Sequence, residues 1–284
     1  MMKRRHLLKS AALAAIVTPL VNSEAASAAA PSKSKVRIRR TGWAGIQIES
    51  GDKVLFVDPE SMFDKRPELG IKSVPLESSA SWRFVAVTHL HRDHFDVDAV
   101  KSILKSPDDL VICYEKSAAH VASRQLPVTG LAMYEPFSAG EYEADDITLA
   151  PVPAQDGYGD PQVSWVIVAG GLRMIHCGDT MWHGDWIKIG RIYGPFDVAF
   201  LPINGIHQNE GIDPVSTIVK SMAPEQAVQA AILLRAKTVI PIHYGRKPRP
   251  SYVETENAEA IFLDHAKKFG IKPIITEPGA WIEI

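Results

Sequence analysis

Three imidazoles and one carboxylate fall within the run Thr88-His89-Leu90-His91-Arg92-Asp93-His94, directly after the apolar stretch Phe84-Val85-Ala86-Val87. Neutral imidazole and carboxylate are the common protein ligands for zinc and similar divalent ions. On an extended segment, residues two apart point the same way, so His89 and His91 could reach one ion. Asp93 and His94 follow where a strand should turn into a helix, and they could reach a second ion close by. Solvated loop histidines rarely cluster this densely, so a metal centre is the stronger reading.

Four more polar residues extend the pattern. Asp58 ends Val54-Leu55-Phe56-Val57, and Asp156 sits in Val152-Pro153-Ala154-Gln155-Asp156. Asp179 lies in His176-Cys177-Gly178-Asp179-Thr180, and His243 in Ile240-Pro241-Ile242-His243-Tyr244-Gly245. Polar residues just past the ends of apolar strands are where open sheets place their ligands.

The elements that must position these residues are legible as periodicities. Alternation marks strands over 36–39 and 44–48, and Gly51-Asp52 turns the chain into a strand over 54–57. Further apolar runs predict strands at 84–87, 110–113, 147–150, 163–168, 172–176, 198–201 and 238–242. Helical spacing covers 97–104, 117–125 and 224–235, the last with proline in its first turn. A final helix is expected over 254–269, stopped by Gly270, with Ile274 and Ile282 in closing strands. Strands run first and helices follow, twice. That grammar predicts two sheet-plus-helix halves packed sheet to sheet, an α/β sandwich with its helices outside. No linker interrupts it, so residues 36–284 are expected to form one domain.

The N-terminus has a different character. Lys3, Arg4, Arg5 and Lys9 make a basic start, residues 10–21 are apolar but too few to span a bilayer, and Ala26-Ser27-Ala28 fits a cleavage site. Residues 1–28 read as an export signal, and Arg4-Arg5 before Leu7-Leu8 favours the twin-arginine route over the general secretory one, placing the product in a bacterial periplasm. Without residues 1–28 the chain keeps 27 basic and 32 acidic side chains, a net charge of −5. A mildly acidic body argues against nucleic acid as the main partner. No other segment is long and apolar enough for a membrane span. Cys113 and Cys177 read as buried fillers, although the sequence leaves open whether they pair.

The strand-end aspartate, the His-x-His-x-Asp-His run, Gly-Asp-Thr and the late Pro-x-His-Tyr-Gly together resemble the metallo-β-lactamase fold superfamily, over nearly all of the chain past the signal. Pro-Ala-Gln and Pro-Ile-His-Tyr-Gly look most like the branch containing ascorbate-phosphate lactonase and the phospholipase D that acts on N-acyl phosphatidylethanolamine. The resemblance implies a four-layer αβ/βα sandwich. It implies that His89 and His91 bind one metal, that Asp93, His94 and His243 bind a second, and that Asp179 bridges both. It implies that Asp58 orients a ligand imidazole and that Asp93 also holds the attacking water. One position departs from the family pattern: the third histidine expected for the first metal is Asp156 here. With Asp93, Asp179 and one bridging hydroxide, a carboxylate there would balance the charge of two divalent cations, and it would shift preference towards harder ions such as manganese or iron. The alternative is that Asp156 belongs only to its polar loop and the first metal is weakly held.

Other residues carry less weight. His183 could contact substrate or donate a proton, against a packed or surface histidine. His207 lies on a probable loop after a strand, Tyr158 and Tyr244 could face substrate or simply pack, and Arg246-Lys247-Pro248-Arg249 could receive an anion or be a solvated loop. His120, His176 and His265 read as structural or solvated.

The reading is therefore an exported hydrolase using one or two divalent ions, zinc or manganese first and iron third. It would attack an ester, lactone or phosphodiester of a small or lipid-derived substrate with a metal-bound hydroxide. The competing readings are a non-catalytic metal-binding protein on the same fold and a di-iron oxidoreductase.

Overall fold

The computed structural model describes residues 35–134, 138–139, 142–144, 147–207 and 217–284. The expected export signal at 1–28 lies outside the described residues. The chain begins with β1 (Val36–Arg40), β2 (Ile46–Ser50), β3 (Lys53–Val57) and β4 (Trp82–Val87). Next come α1 (Val97–Ile103), β5 (Leu110–Tyr114), α2 (Glu115–Ser123) and β6 (Val128–Leu131). Short strands β7 (Met133–Tyr134), β8 (Ser138–Ala139) and β9 (Tyr142–Ala144) lead to β10 (Ile147–Pro153), β11 (Val163–Ala169) and β12 (Leu172–His176). Then follow α3 (Trp186–Ile192), β13 (Val198–Pro202), α4 (Pro224–Leu234), β14 (Thr238–Ile242), α5 (Ala258–Phe269), β15 (Lys272–Pro273) and β16 (Ile282–Glu283).

Two seven-stranded sheets result, ordered β16-β1-β2-β3-β4-β5-β6 and β15-β14-β13-β12-β11-β10-β9. Each sheet is antiparallel on one side and parallel on the other, because hairpins build one half and helical crossovers the other. The alternation within each strand sorts the core into layers. Leu55, Val57, Phe84 and Ala86 of the first sheet meet Trp165, Met174, Phe200 and Ile240 of the second. The intervening residues face outwards: Val54, Phe56, Val85 and Val87 pack with Val100 and Ile103 of α1. Ile175, Ala199 and Val239 pack with Ile189, Val228 and Phe262 of α3, α4 and α5. The order of layers is helices, sheet, sheet, helices, the αβ/βα sandwich expected.

The periodicity reading missed the short strands β6 to β9 and set α2 two residues late, and three further elements differ. Helix α5 starts at Ala258 rather than at 254, because the Glu254 carboxylate accepts from the backbone N–H groups of Gly245 and Arg246 at 2.8 and 3.0 Å. Ile274 lies just past β15 rather than in a strand. Helix α3 went unpredicted: it is only seven residues long and carries a helix-disfavouring glycine, Gly190, buried where an added Cβ would strike the backbone of Leu233 and Leu234 in α4. Both cysteines are free and buried in separate clusters, Cys113 against α1 and α2 and Cys177 against α3 and α4. Burial pushes both thiols up to about 12, which keeps them protonated and inert. Among the described residues no helix is long and apolar enough to cross a membrane.

Candidate metal centre

Every candidate ligand leaves the same edge of the sandwich. Asp58 follows β3, the histidine run follows β4, Asp179 follows β12 and His243 follows β14, so these extend from the C-terminal ends of parallel strands, while Asp156 follows β10, which is antiparallel to both its neighbours. Backbone bonds lock the two sheets together there: Val163 donates to the Thr88 carbonyl at 3.1 Å and His243 to the Trp43 carbonyl at 2.9 Å. Asp58 and His243 both adopt positive φ, 47° and 56°, a strained conformation for such residues that tertiary contacts must hold. Gly178 also has positive φ, at 57°, and an added Cβ would come within 2.9 Å of Thr88 Oγ1 and Gln162 Nε2. Glycine at that turn lets Asp179 reach the seam.

Two groups of side chains converge: His89, His91, Asp156 and Asp179, and beside them Asp93, His94 and His243. Within each group the facing atoms lie within 4.8 Å of one another. Asp179 spans both. Its Oδ1 is 3.6 Å from His89 Nε2, and its Oδ2 is 3.8 Å from both His94 Nε2 and His243 Nε2. His243 Nε2 is 3.6 Å from Asp93 Oδ2, and His91 Nδ1 is 3.7 Å from Asp156 Oδ1.

Asp58 sets which nitrogens face inwards. It is fully buried, and its Oδ2 accepts from His94 Nδ1 at 2.8 Å and from the Thr88 hydroxyl at 2.6 Å. With its proton given to Asp58, Thr88 Oγ1 accepts from His89 Nδ1 at 3.1 Å. One carboxylate thereby fixes both imidazoles with Nε2 bare and aimed at the cluster. The Nε2 atoms of His89, His94 and His243 and Oδ1 of Asp156 are all buried without a hydrogen-bond partner. Such orphaned atoms are costly unless something satisfies them, and a borderline divalent cation suits this set of imidazole and carboxylate donors.

The electrostatics show where a cation would take the place of a proton. Burial would push the His94 imidazole down, but Asp179 and Asp58 outweigh it and hold it raised to about 10. Burial dominates at His89, which falls to about 4 despite Asp179. Burial would lift Asp179, yet His89, His94 and His243 hold its carboxyl at about 2. Burial and the nearby Asp179 raise the Asp156 carboxyl. The acids of the cluster thus create a field that favours added positive charge.

Asp156, 6% exposed, is more than a loop residue. Its Oδ2 is occupied by the backbone N–H groups of Tyr158 and Asp160, at 2.6 and 3.0 Å, which leaves Oδ1 pointed at His91. The carboxylate therefore occupies the place where the resemblance expects a histidine.

Sequence reasoning missed three partners. The buried Trp43 donates its Nε1–H to Asp93 Oδ2 at 3.2 Å and lays its ring 4.3 Å from that of His243. Gln162 donates to Asp179 Oδ1 at 3.0 Å, and His91 Nε2 donates to Asp160 Oδ2 at 3.0 Å. The only signal was Trp43 between the glycines of Gly42-Trp43-Ala44-Gly45, a bulky residue in a tight turn. Replacing Trp43 with Phe should keep the packing and remove the donor. We expect metal content and fold to persist while kcat falls by about tenfold or more, the worth of a hydrogen bond to a charged group. Unchanged kcat would remove Trp43 from the account.

Other candidates fall elsewhere. His183 joins neither group; its ring stacks 4.0 Å from that of Trp186, and its Nδ1 accepts from the Asp185 N–H at 3.2 Å. Burial lowers it to about 4, and its ring packs on α3 rather than joining either ligand group. Tyr244 is turned away, its hydroxyl donating to Glu259 of α5 at 2.7 Å. Tyr158 is exposed at the rim, its ring 5.8 Å from that of His91. His207 is exposed and pairs through its backbone with Val253. His176 is structural, accepting from the Gly178 N–H and donating to the Ala44 carbonyl at 2.8 Å. Arg249 and Lys247 lie against the Glu68–Gly70 turn rather than the cluster.

A two-sheet αβ/βα sandwich with a histidine and carboxylate cluster across its sheet edge defines a metallo-β-lactamase-type protein. Residues 59–244 match the family model described as a beta-lactamase superfamily domain, and the chain belongs to that family. A metal-dependent hydrolase of Thermococcus kodakarensis is 28% identical over 256 residues, covering 88% of this chain and all 100% of the relative. A metallo hydrolase of the archaeon Ignicoccus hospitalis shares the fold at a TM-score of 0.63 and 20% identity, over 88% of this chain and 99% of that one. The metallo-beta-lactamase fold protein YhfI of Bacillus subtilis does so at 0.59 and 16%, over 88% and 100%.

Proposed function

We propose that this superfamily member is an exported metal-dependent hydrolase that opens an ester, lactone or phosphodiester bond in a small or lipid-derived substrate. The observation that carries the hydrolase reading is the set of bare, buried Nε2 and Oδ1 atoms converging on Asp179. His89, His91, Asp156 and Asp179 would hold one cation, and Asp93, His94, His243 and Asp179 the other. Cations held there would acidify water and polarise the bond under attack. The carboxylate at 156 favours manganese or iron more than a histidine would, with zinc retained as a candidate.

The chain's own groups supply the rest. Asp58 and Thr88 hold His89 and His94 in one tautomer. Trp43 fixes Asp93, whose carboxylate accepts a hydrogen bond from the attacking water and orients it. The choice of bond rests on the likeness of Pro153-Ala154-Gln155 and Pro241-Ile242-His243-Tyr244-Gly245 to the lactonase and phospholipase branch. Export rests on the character of residues 1–28, and a single catalytic domain over 36–284 on the unbroken grammar of strands and helices.

The test is a panel assay of metal-loaded protein with bis(p-nitrophenyl) phosphate, p-nitrophenyl acetate and an aliphatic lactone. We expect turnover of at least one, abolished by chelation and restored by manganese or zinc. A fully metal-loaded protein that turns over none of them would favour the non-catalytic or iron-redox readings.

A further inference from the structure

The loop that carries the metal-site residues has a second face. His89, His91 and Asp93 face the cluster, while Leu90 and Arg92, which alternate with them, line a cavity of about 410 Å³ that none of the clustered residues lines. That volume lies within the range of small-molecule sites. Its apolar wall is Met62, Leu90 and Phe95, with Phe95 buried and Leu90 packed beside it. Its charge is one-sided: Lys65, Arg66, Arg92 and Arg124 line it against the carboxylates of Asp96 and Asp98.

Those two carboxylates are already engaged. Asp96 accepts from the Ser61 N–H and hydroxyl through Oδ2 and from the first N–H groups of α1 through Oδ1. Asp98 pairs with Lys65 at 3.4 Å. Arg66 pairs with Glu68 at 3.5 Å. Arg124 meets His120, whose Nε2 accepts from its guanidinium at 3.4 Å. Among the described residues Arg92 and Arg124 have no acidic partner within ion-pairing distance. Two such guanidiniums lining a partly apolar cavity match a carboxylate, sulfonate or phosphate head on a hydrocarbon body.

We propose that this cavity is a binding site for a small organic anion with an apolar body, separate from the metal centre. An occupant would touch Leu90 and Arg92 and so border the loop that holds His89, His91 and Asp93. The site does not depend on the hydrolase reading.

The probe is octane-1-sulfonate, which has no hydrolysable ester and a head group that ligates metals poorly. Calorimetric titration of the full chain should show saturable binding at one site per chain. Octyl glucoside, with the same tail and no charge, should bind at least about tenfold more weakly. Arg92→Ala and Arg124→Glu, both at exposed positions, should each weaken the sulfonate at least about tenfold with unaltered thermal melting. Metal-stripped wild type should bind as tightly as the loaded protein. The proposal is overturned if wild type shows no saturable binding, if both arginine variants bind as wild type does, or if stripping the metal abolishes binding.

Discussion

Asp179→Ala is expected to lower kcat/KM by about a thousandfold, on the order of 4 kcal/mol of transition-state stabilisation. The reason is position. Asp179 faces both groups through separate oxygens, with Oδ1 on the His89 side and Oδ2 facing His94 and His243. Its removal takes a ligand from each cation, so metal content should fall together with activity. The Gln162 amide, which donates to Oδ1, would also lose its acceptor. Steady-state kinetics on the hydrolysed panel substrate, with metal content measured on the same sample, checks this. A variant that kept both metals and most activity would show that the two groups do not share Asp179.

Asp58→Ala should do its damage without touching a cation. Asp58 is fully buried and accepts from the Thr88 N–H at 2.8 Å, the Thr88 hydroxyl and His94 Nδ1. Burial would raise its carboxyl, but His94 outweighs that and holds it below the usual range. Deleting it strands three buried donors and frees His89 and His94 to present the wrong nitrogen. Removing one partner of a buried hydrogen-bonded pair costs about 3–5 kcal/mol, and loss of a partner that orients a metal ligand costs about 10–100-fold in metal affinity. Chemical denaturation should therefore show a loss of about 3 kcal/mol or more, and competition with a chelator should show weaker metal binding. If stability fell and metal affinity did not, Asp58 would be a packing residue and nothing more.

The extent to which the amino-acid sequence disclosed this site follows from the kind of signal each part leaves. Alternation in β3, β4, β12, β13 and β14 sorted their side chains between the inter-sheet core and the helix layers, and those strands deliver Asp58, His89, Asp179 and His243. The dense cluster at 89–94 was legible because ligand spacing is local. Trp43 and Gln162 were not, because their roles come from the approach of the two sheets, a contact between positions far apart in the chain. His183 misled for the opposite reason. It is near Asp179 in sequence, but the chain turns into α3 and packs it on Trp186. Glu254 carried helix-forming character, yet its carboxylate satisfies the turn after His243 and delays α5. Spacing within 89–94 already suggested two metal positions; the resemblance to a known superfamily added His243 to the second and the bridging role of Asp179.

The central claim is that seven side chains hold two cations and that Asp156 serves as a ligand where a histidine is usual. Elemental analysis of purified wild type and of Asp156→Ala tests it most directly. About two metal equivalents per chain are expected in wild type and about one in the variant, since Asp156 belongs to only one of the two groups. One equivalent or fewer in wild type, unchanged in Asp156→Ala, would contradict it.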